Sequence, residues 1–250
     1  MKQTSKAQHF GKNPAISYVG YRFPPELIGY AVWLYFRFPL SLRMLEEMLA
    51  VRGIEVTYET VRRWALKFGQ QAARCIRARR SSFGYTWHLD EGVITINGKK
   101  HWLWRAVDQF GIVLDVLVQS RRDRYAAQKL IRKLLGKCSV TLRVLITDKP
   151  KSYAAANKEM GLRFEHRQHK GSNNRAENLY LRPRVWEKVM RRSKSACQLQ
   201  RFVSVHDQLA NLFHGCRYPL SAAQKRANRS QAMAAWKEVT CANTFYIQAE

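Results

Sequence analysis

The sequence predicts an α/β protein in which a mixed sheet flanked by helices follows a small all-α unit. Three observations carry that expectation. Apolar residues recur at three-to-four spacing over residues 23–69, and the period switches to two after residue 85. From residue 112 onward, short apolar strands alternate with helical stretches. Hydrophobic residues make up 46% of the 250, enough for a buried core and too many for a disordered chain. Lys and Arg number 44 against 18 Asp and Glu, a net charge of +26. Such an excess concentrates polyanions around the molecule and points to nucleic acid as the partner.

No apolar run is long enough to span a membrane, and the opening MKQTSKAQHFGKNP lacks the apolar core of a secretion signal. A cytoplasmic protein with no membrane partner is expected. Cys75, Cys138, Cys197, Cys216 and Cys241 are scattered and form no CxxC pair. They read as buried free thiols of a reducing compartment rather than as zinc ligands or a disulfide framework.

Residues 1–22 are polar and irregular, an N-terminal tail. In 23–69, Pro24 and Pro25 suit a first helical turn, with Leu27, Ile28, Ala31 and Leu34 behind them. Ser41 can cap a second helix that Gly53 stops, and Thr57 can cap a third carrying Val61 and Trp64. Short helices joined by a glycine-containing turn resemble a helix-turn-helix. Its second helix would present Tyr58, Glu59, Arg62, Arg63 and Lys67, and Tyr58, Arg62, Arg63 and Lys67 are the expected DNA contacts. A solvated basic face on an ordinary three-helix bundle is the other reading. Residues 70–84, rich in arginine, read as a basic helix or linker.

A catalytic unit is expected over 85–215. Residues 87–96 form a strand, Asn97-Gly98 a tight hairpin turn, 102–107 its partner and 112–118 a third strand. A helix over 122–135 follows, then a strand at 143–147, a helix at 153–160, a strand at 164–168 and a helix opening at Asn173-Asn174. That order is the one of the ribonuclease H-like fold. Residues 216–250 are expected to form a C-terminal helical tail.

Two acids fall at informative places in this order. Asp90 lies inside the first strand, and Asp148 follows the apolar run Val144-Leu145-Ile146-Thr147. An acid that ends a buried strand sits at the carboxyl edge of its sheet, where α/β folds place their sites. If the two strands are neighbours the carboxylates repel, and a divalent cation with a taste for oxygen, Mg²⁺ or Mn²⁺, resolves the repulsion. Glu177, in the first turn of the next helix, is the expected third ligand. Two ions about 4 Å apart need several carboxylates to clamp both reacting oxygens of a phosphodiester. Read singly, Asp148 could be a turn residue and Glu177 a charge favoured at a helix start. Glu91 is excluded by alternation, which sends it to the opposite sheet face. Around the acids, Lys149, Arg167, Lys170 and Arg175 are expected to meet phosphates, as are Arg184, Lys188 and Arg191 on the last helix. His88 reads as a packed supporting group, and Trp87, Trp102 and Trp104 as core.

The segments FPLSLRMLEEMLAVRGI, WHLDEGVITINGKKHWLWRAVDQFG, LVQSRRDRYAA, LITDKPKSY and HRQHKGSNNRAEN together resemble the transposases of the bacterial insertion-sequence-six family, over residues 23–213. The resemblance implies a DDE triad of Asp90, Asp148 and Glu177 holding two Mg²⁺ or Mn²⁺ ions, behind a helix-turn-helix. It implies strand cleavage and transfer of an element's terminal inverted repeats into target DNA, by a homo-oligomer at the bacterial nucleoid. Two features depart from the pattern. The interval between Asp148 and Glu177 is short, and Gly92 stands where a larger β-former is expected, a weak point in the first strand. The rival readings are a ribonuclease H-like nuclease that cuts without joining, and a non-catalytic DNA binder derived from a transposase.

Overall fold

The structure, a computed structural model, describes residues 16–79, 84–136, 142–147, 164–168, 194–213 and 221–241. Its first three helices are α1 (Pro25–Arg37), α2 (Leu42–Ala50) and α3 (Tyr58–Ala78). Their starts follow the local chemistry. Pro25 opens α1, and the Ser41 and Thr57 hydroxyls accept from the Met44 and Thr60 amides at 3.2 and 3.3 Å. Gly53 at φ 72° makes the turn after α2, a backbone region open to glycine at little cost.

Of the two readings of the arginine-rich stretch, basic helix or linker, helix α3 takes up the first over most of its length. It runs on through Ala78 because Phe68, Ala72, Ala73, Cys75 and Ile76 keep one face buried while the arginines occupy the other. Only the apolar stripe matters for helix continuity, and small residues on it allow close packing.

The sheet comprises β1 (Thr86–Ile96), β2 (Lys99–Asp108), β3 (Val113–Gln119), β4 (Val144–Thr147) and β5 (Glu165–Gln168), with α4 (Arg124–Leu135) between β3 and β4. The strands lie in the order β3-β2-β1-β4-β5. β1–β2 and β2–β3 are antiparallel, β1–β4 and β4–β5 parallel. This is the ribonuclease H-like arrangement that the element order predicted. Asn97 and Gly98 both take positive φ, 48° and 74°, as a two-residue hairpin turn between right-twisted strands requires. Gly92 does not break β1: the strand is continuous through it, in register with Leu103. Ten consecutive paired positions hold the ladder where one side chain is missing. The expected helices at 153–160 and after Asn173 lie outside the described residues.

Two further helices complete the described chain, α5 (Ala196–Leu212) and α6 (Ala222–Cys241). On one sheet face, Trp87, Leu89, Trp104 and Leu145 pack with Leu130, Ile131 and Leu134 of α4. On the other, Ile94, Leu103, Val116 and Val118 meet Leu199 and Val203 of α5. The opposite side of α5 contributes Val205 and Leu209 to the core of α1–α3. There His206 Nδ1 lies 2.8 Å from the Phe36 carbonyl. Helix α6 returns to α1, where the Trp236 indole donates to the Gly29 carbonyl at 3.2 Å. The helical core is thus assembled from both ends of the chain.

Helices α1, α3 and α5 meet at Gly69, where an added Cβ would lie 2.6 Å from the Phe36 ring. The ring is buried and cannot swing into solvent. Gly69→Ala should therefore destabilise by about 1–2 kcal/mol, overpacking outweighing the ~1 kcal/mol gain in helix propensity. A lowered melting temperature by circular dichroism is the expected outcome.

Candidate active site

Alternation along β1 divides its side chains between two environments. Trp87 and Leu89 enter the core beneath α4, while Asp90, His88 and Ile94 face α5. Glu91 falls on the α4 side and is held by Arg122, whose guanidinium also lies 5.2 Å from the Trp102 ring centre. Asp90 is only 6% exposed, in a strand with paired neighbours on both sides. On the β4 side, the last described pairing is Leu89 with Thr147. Asp148 follows Thr147 in the chain and lies outside the described residues.

Across the β1–β2 ladder, Asp90 is in register with Arg105. Arg105 is 1% exposed, and its Nη2 donates to Asp207 Oδ1 of α5 at 3.1 Å. The other Asp207 oxygen is buried with no hydrogen-bond partner among the described residues. Arg105 and Asp207 thus form a buried ion pair between α5 and the ladder position opposite Asp90. Burying ions costs several kcal/mol each unless they are paired, which is why the Arg105 guanidinium and the Asp207 carboxylate meet. Neither Arg105 nor Asp207 was singled out from sequence. The signal existed: an arginine inside the apolar run WLWRAV, and an aspartate within the apolar helix FVSVHDQLANLF, are charges where burial is expected.

At the next strand, His166 Nε2 of β5 is 3.0 Å from the Thr147 hydroxyl, and burial holds its imidazole below the usual histidine range. His88 is buried on the Asp90 face, in register with Val107.

The remaining expected residues are distributed unevenly. Glu177, Lys149, Lys170, Arg175, Arg184, Lys188 and Arg191 lie outside the described residues. Arg167 is exposed on β5 and forked onto Glu165 at 2.6 and 3.0 Å. Tyr58, Arg62, Arg63 and Lys67 are all on the exposed side of α3. Arg62 forks onto Glu59 at 2.8 and 2.6 Å, and this hydrogen-bonded pair holds the Glu59 carboxyl below its ordinary range. Lys67 Nζ sits 4.7 Å from the Tyr21 ring centre. Arg63 is more open than Arg62, with 76% of its side chain exposed against 50%. Exposed pairs of this kind are weak and screened by salt, so a polyanion competes with them readily. The thiols also divide: Cys75 and Cys241 are buried as expected, whereas Cys197 is exposed, and Cys138 and Cys216 lie outside the described residues. Among the described residues no three His, Cys, Asp or Glu side chains converge on one point.

A family model described as a DDE domain matches residues 84–216, a span that opens just before β1 and closes just after α5. The chain belongs to the DDE-domain family. It is 31% identical over 144 residues to the transposase for insertion sequence-like element IS431mec of Staphylococcus aureus (strain Mu50 / ATCC 700699), covering 57% of this chain and 64% of that one. The transposase for insertion sequence element IS257 in transposon Tn4003, also of Staphylococcus aureus, matches with the same identity and coverage. These relatives bear out the resemblance to insertion-sequence-six transposases, although the match spans less than two thirds of their length. Among solved structures, a simian T-cell lymphotropic virus intasome in complex with PP2A regulatory subunit B56 gamma aligns at TM-score 0.40 and 15% identity, over 59% of this chain and 54% of that one. The HTLV-2 integrase catalytic core domain in complex with magnesium aligns at TM-score 0.29 and 19% identity, over 45% of this chain and 86% of its own. The ribonuclease H-like description rests on strand order and register. No described helix is long and apolar enough to cross a membrane.

The Arg105–Asp207 pair ties the sheet to α5 and should be costly to break. Asp207→Ala is expected to lower unfolding stability by about 3–5 kcal/mol, since it strands a buried guanidinium. Replacing both partners, Arg105→Met with Asp207→Leu, should recover most of that loss in urea unfolding followed by tryptophan fluorescence.

Proposed function

We propose that this protein is a DNA transposase that cleaves at the ends of its element and joins them to target DNA. The observation that carries the reading is Asp90: a carboxylate 6% exposed, on the central strand of a DDE-domain sheet, beside the strand that leads to Asp148. Asp90, Asp148 and Glu177 would hold two Mg²⁺ or Mn²⁺ ions. An all-carboxylate donor set suits these hard cations. When bound, the ions supply activation of the attacking oxygen and stabilisation of the departing one.

The chain's own residues supply position and charge. In cleavage, water attacks the phosphodiester in line, a new P–O bond forms, and the 3′-oxygen leaves as a free hydroxyl. In transfer that hydroxyl attacks a target phosphodiester and displaces its 3′-oxygen. Asp90 is held for these steps by a strand paired on both sides, with Arg105 fixed alongside by α5. The outward face of α3, with Tyr58, Arg62, Arg63 and Lys67, would hold element-end DNA, while Lys149, Arg167, Lys170, Arg175, Arg184 and Lys188 would meet phosphates of any sequence. A homo-oligomer on DNA, acting in the bacterial cytoplasm at the nucleoid, is part of this reading.

An oligonucleotide assay with a free 3′-hydroxyl separates the possibilities, because a nuclease cuts without joining and a DNA binder does neither. Asp90→Asn, Asp148→Asn and Glu177→Gln should each abolish cutting and joining while DNA binding survives. Acids acting as a unit lose non-additively, so the double variants should be little worse than the single ones. Wild-type joining by any of the three variants would remove that acid from the site.

Metal dependence forms a separate expectation. Joining should require Mg²⁺ or Mn²⁺ and should fall sharply in Ca²⁺, whose longer and looser coordination misplaces the reacting oxygens. Full activity after exhaustive chelation would contradict the proposal.

A further inference from the structure

A cleft of about 620 Å³ opens between α3 and the start of α5, on the helical side of the molecule. Its floor is aromatic. Tyr35 and Phe202 meet edge to face at 5.7 Å between ring centres, and Tyr58 stands at the rim with 43% of its surface exposed. Its walls are cationic: Arg62 from α3, with Lys194 and Arg201 from the start of α5. Glu59 is the one acid among the residues that line it, and it is already paired with Arg62 and Arg63.

The walls are held in place. The Lys194 carbonyl accepts from the Asn97 amide of the β1–β2 hairpin at 2.8 Å. The Lys194 amide donates to Gln198 at 3.2 Å, and Ser195 caps the helix through the Gln198 amide at 3.1 Å. Burial pushes the Tyr35 phenol up to about 12, as expected of a ring packed into the floor.

An aromatic floor beneath a cationic wall is the combination that holds unpaired nucleotides: bases stack on rings while the backbone meets positive charge. A duplex does not suit the cleft, because its bases are already stacked on one another. An acidic peptide would satisfy the cations but leave the rings without a planar partner. The volume lies within the range of pockets that take one small ligand, a nucleotide among them. The location is also apt. Arg201 precedes Asp207 on α5 by a spacing equal to a rise of about 9 Å along the helix axis, so one rigid element joins the cleft to the ion pair beside Asp90.

We propose that this cleft binds an unpaired nucleotide of single-stranded DNA, stacking its base against the Tyr35, Tyr58 and Phe202 surface and placing its phosphate among Arg62, Lys194 and Arg201. The assignment rests on the transposase reading and adds to it a place for a frayed or cleaved strand end. It also divides the arginines of α3: Arg62 serves the cleft, and Arg63, on the open face, serves the duplex.

Cys197 gives a direct test, because it is an exposed thiol that lines the cleft. Its alkylation rate would be followed by peptide mass spectrometry in the full-length protein, with three DNA probes at saturating concentration and matched salt. The probes are a blunt duplex, the same duplex with a short 3′ overhang, and the same overhang made abasic. Stacking worth about 1–3 kcal/mol per base should make the base-bearing overhang slow alkylation roughly tenfold more than either control. Arg201→Glu, at an exposed position outside the core, should remove that difference. Equal protection by the abasic or blunt probe overturns the proposal, as does protection by none. Anisotropy of the blunt duplex in the same samples reports DNA binding itself. Salt-sensitive blunt-duplex binding without overhang-specific protection leaves the transposase reading intact and rejects only the cleft; absence of all DNA binding rejects both.

Discussion

Helix α5 is the constraint on which the rest of the structure depends, because it must satisfy two surfaces at once. On the sheet side it covers β3, an edge strand whose outer backbone groups would otherwise be open to pairing with another chain. The Gln200 amide accepts from Val118 N at 2.8 Å and donates to Val116 O at 3.0 Å. Three turns on, the Asn211 amide repeats the pattern at Val113, both bonds 2.9 Å. Two side-chain amides thus do for this edge what a sixth strand would do. They also fix the translation of α5 along the sheet, which a purely apolar contact would leave loosely set.

Once α5 is seated, the polar groups on its length fall into place. Asp207 reaches Arg105 through the sheet face, and His206 reaches the carbonyl that ends the apolar part of α1. Net attraction is not what such a buried pair contributes most dependably; desolvation absorbs much of it. What it enforces is uniqueness, since any slip of α5 by one turn would leave a buried guanidinium and a buried carboxylate apart. The hairpin register sets Arg105 opposite Asp90, and its guanidinium is then held by an aspartate more than a hundred residues away in sequence.

The same helix ties the charge distribution to the fold. A net charge of +26 would disperse a loosely joined chain by self-repulsion. Here several cations sit near the surface with their charged heads over aromatic rings: Arg52 over Tyr30, Arg37 over Phe213, Lys67 over Tyr21. Among the described residues the buried Arg105 is matched to Asp207 and the half-buried Lys133 to Asp115. The exposed remainder forms the positive field that a polyanionic partner would neutralise.

Local patterning by itself determined the elements. Ser41, Thr57 and Gly53 marked helix ends, Asn97-Gly98 marked the hairpin, and the change of period from three-to-four to two marked the sheet, because each depends on neighbours a few residues away. The motifs around Asp90, Asp148 and Glu177 also pointed to the family through a resemblance that the DDE-domain match bears out. Sequence patterning left open whether the arginine-rich stretch is helix or linker, and did not show that α6 returns to α1 or that Arg105 pairs with Asp207. Nor did it show the cleft that Lys194 and Arg201 share with Tyr58. Those facts depend on contacts between segments far apart in the chain, where no periodicity in either segment encodes the partner. Only the packing of one helix against both a sheet edge and a helical core decides them.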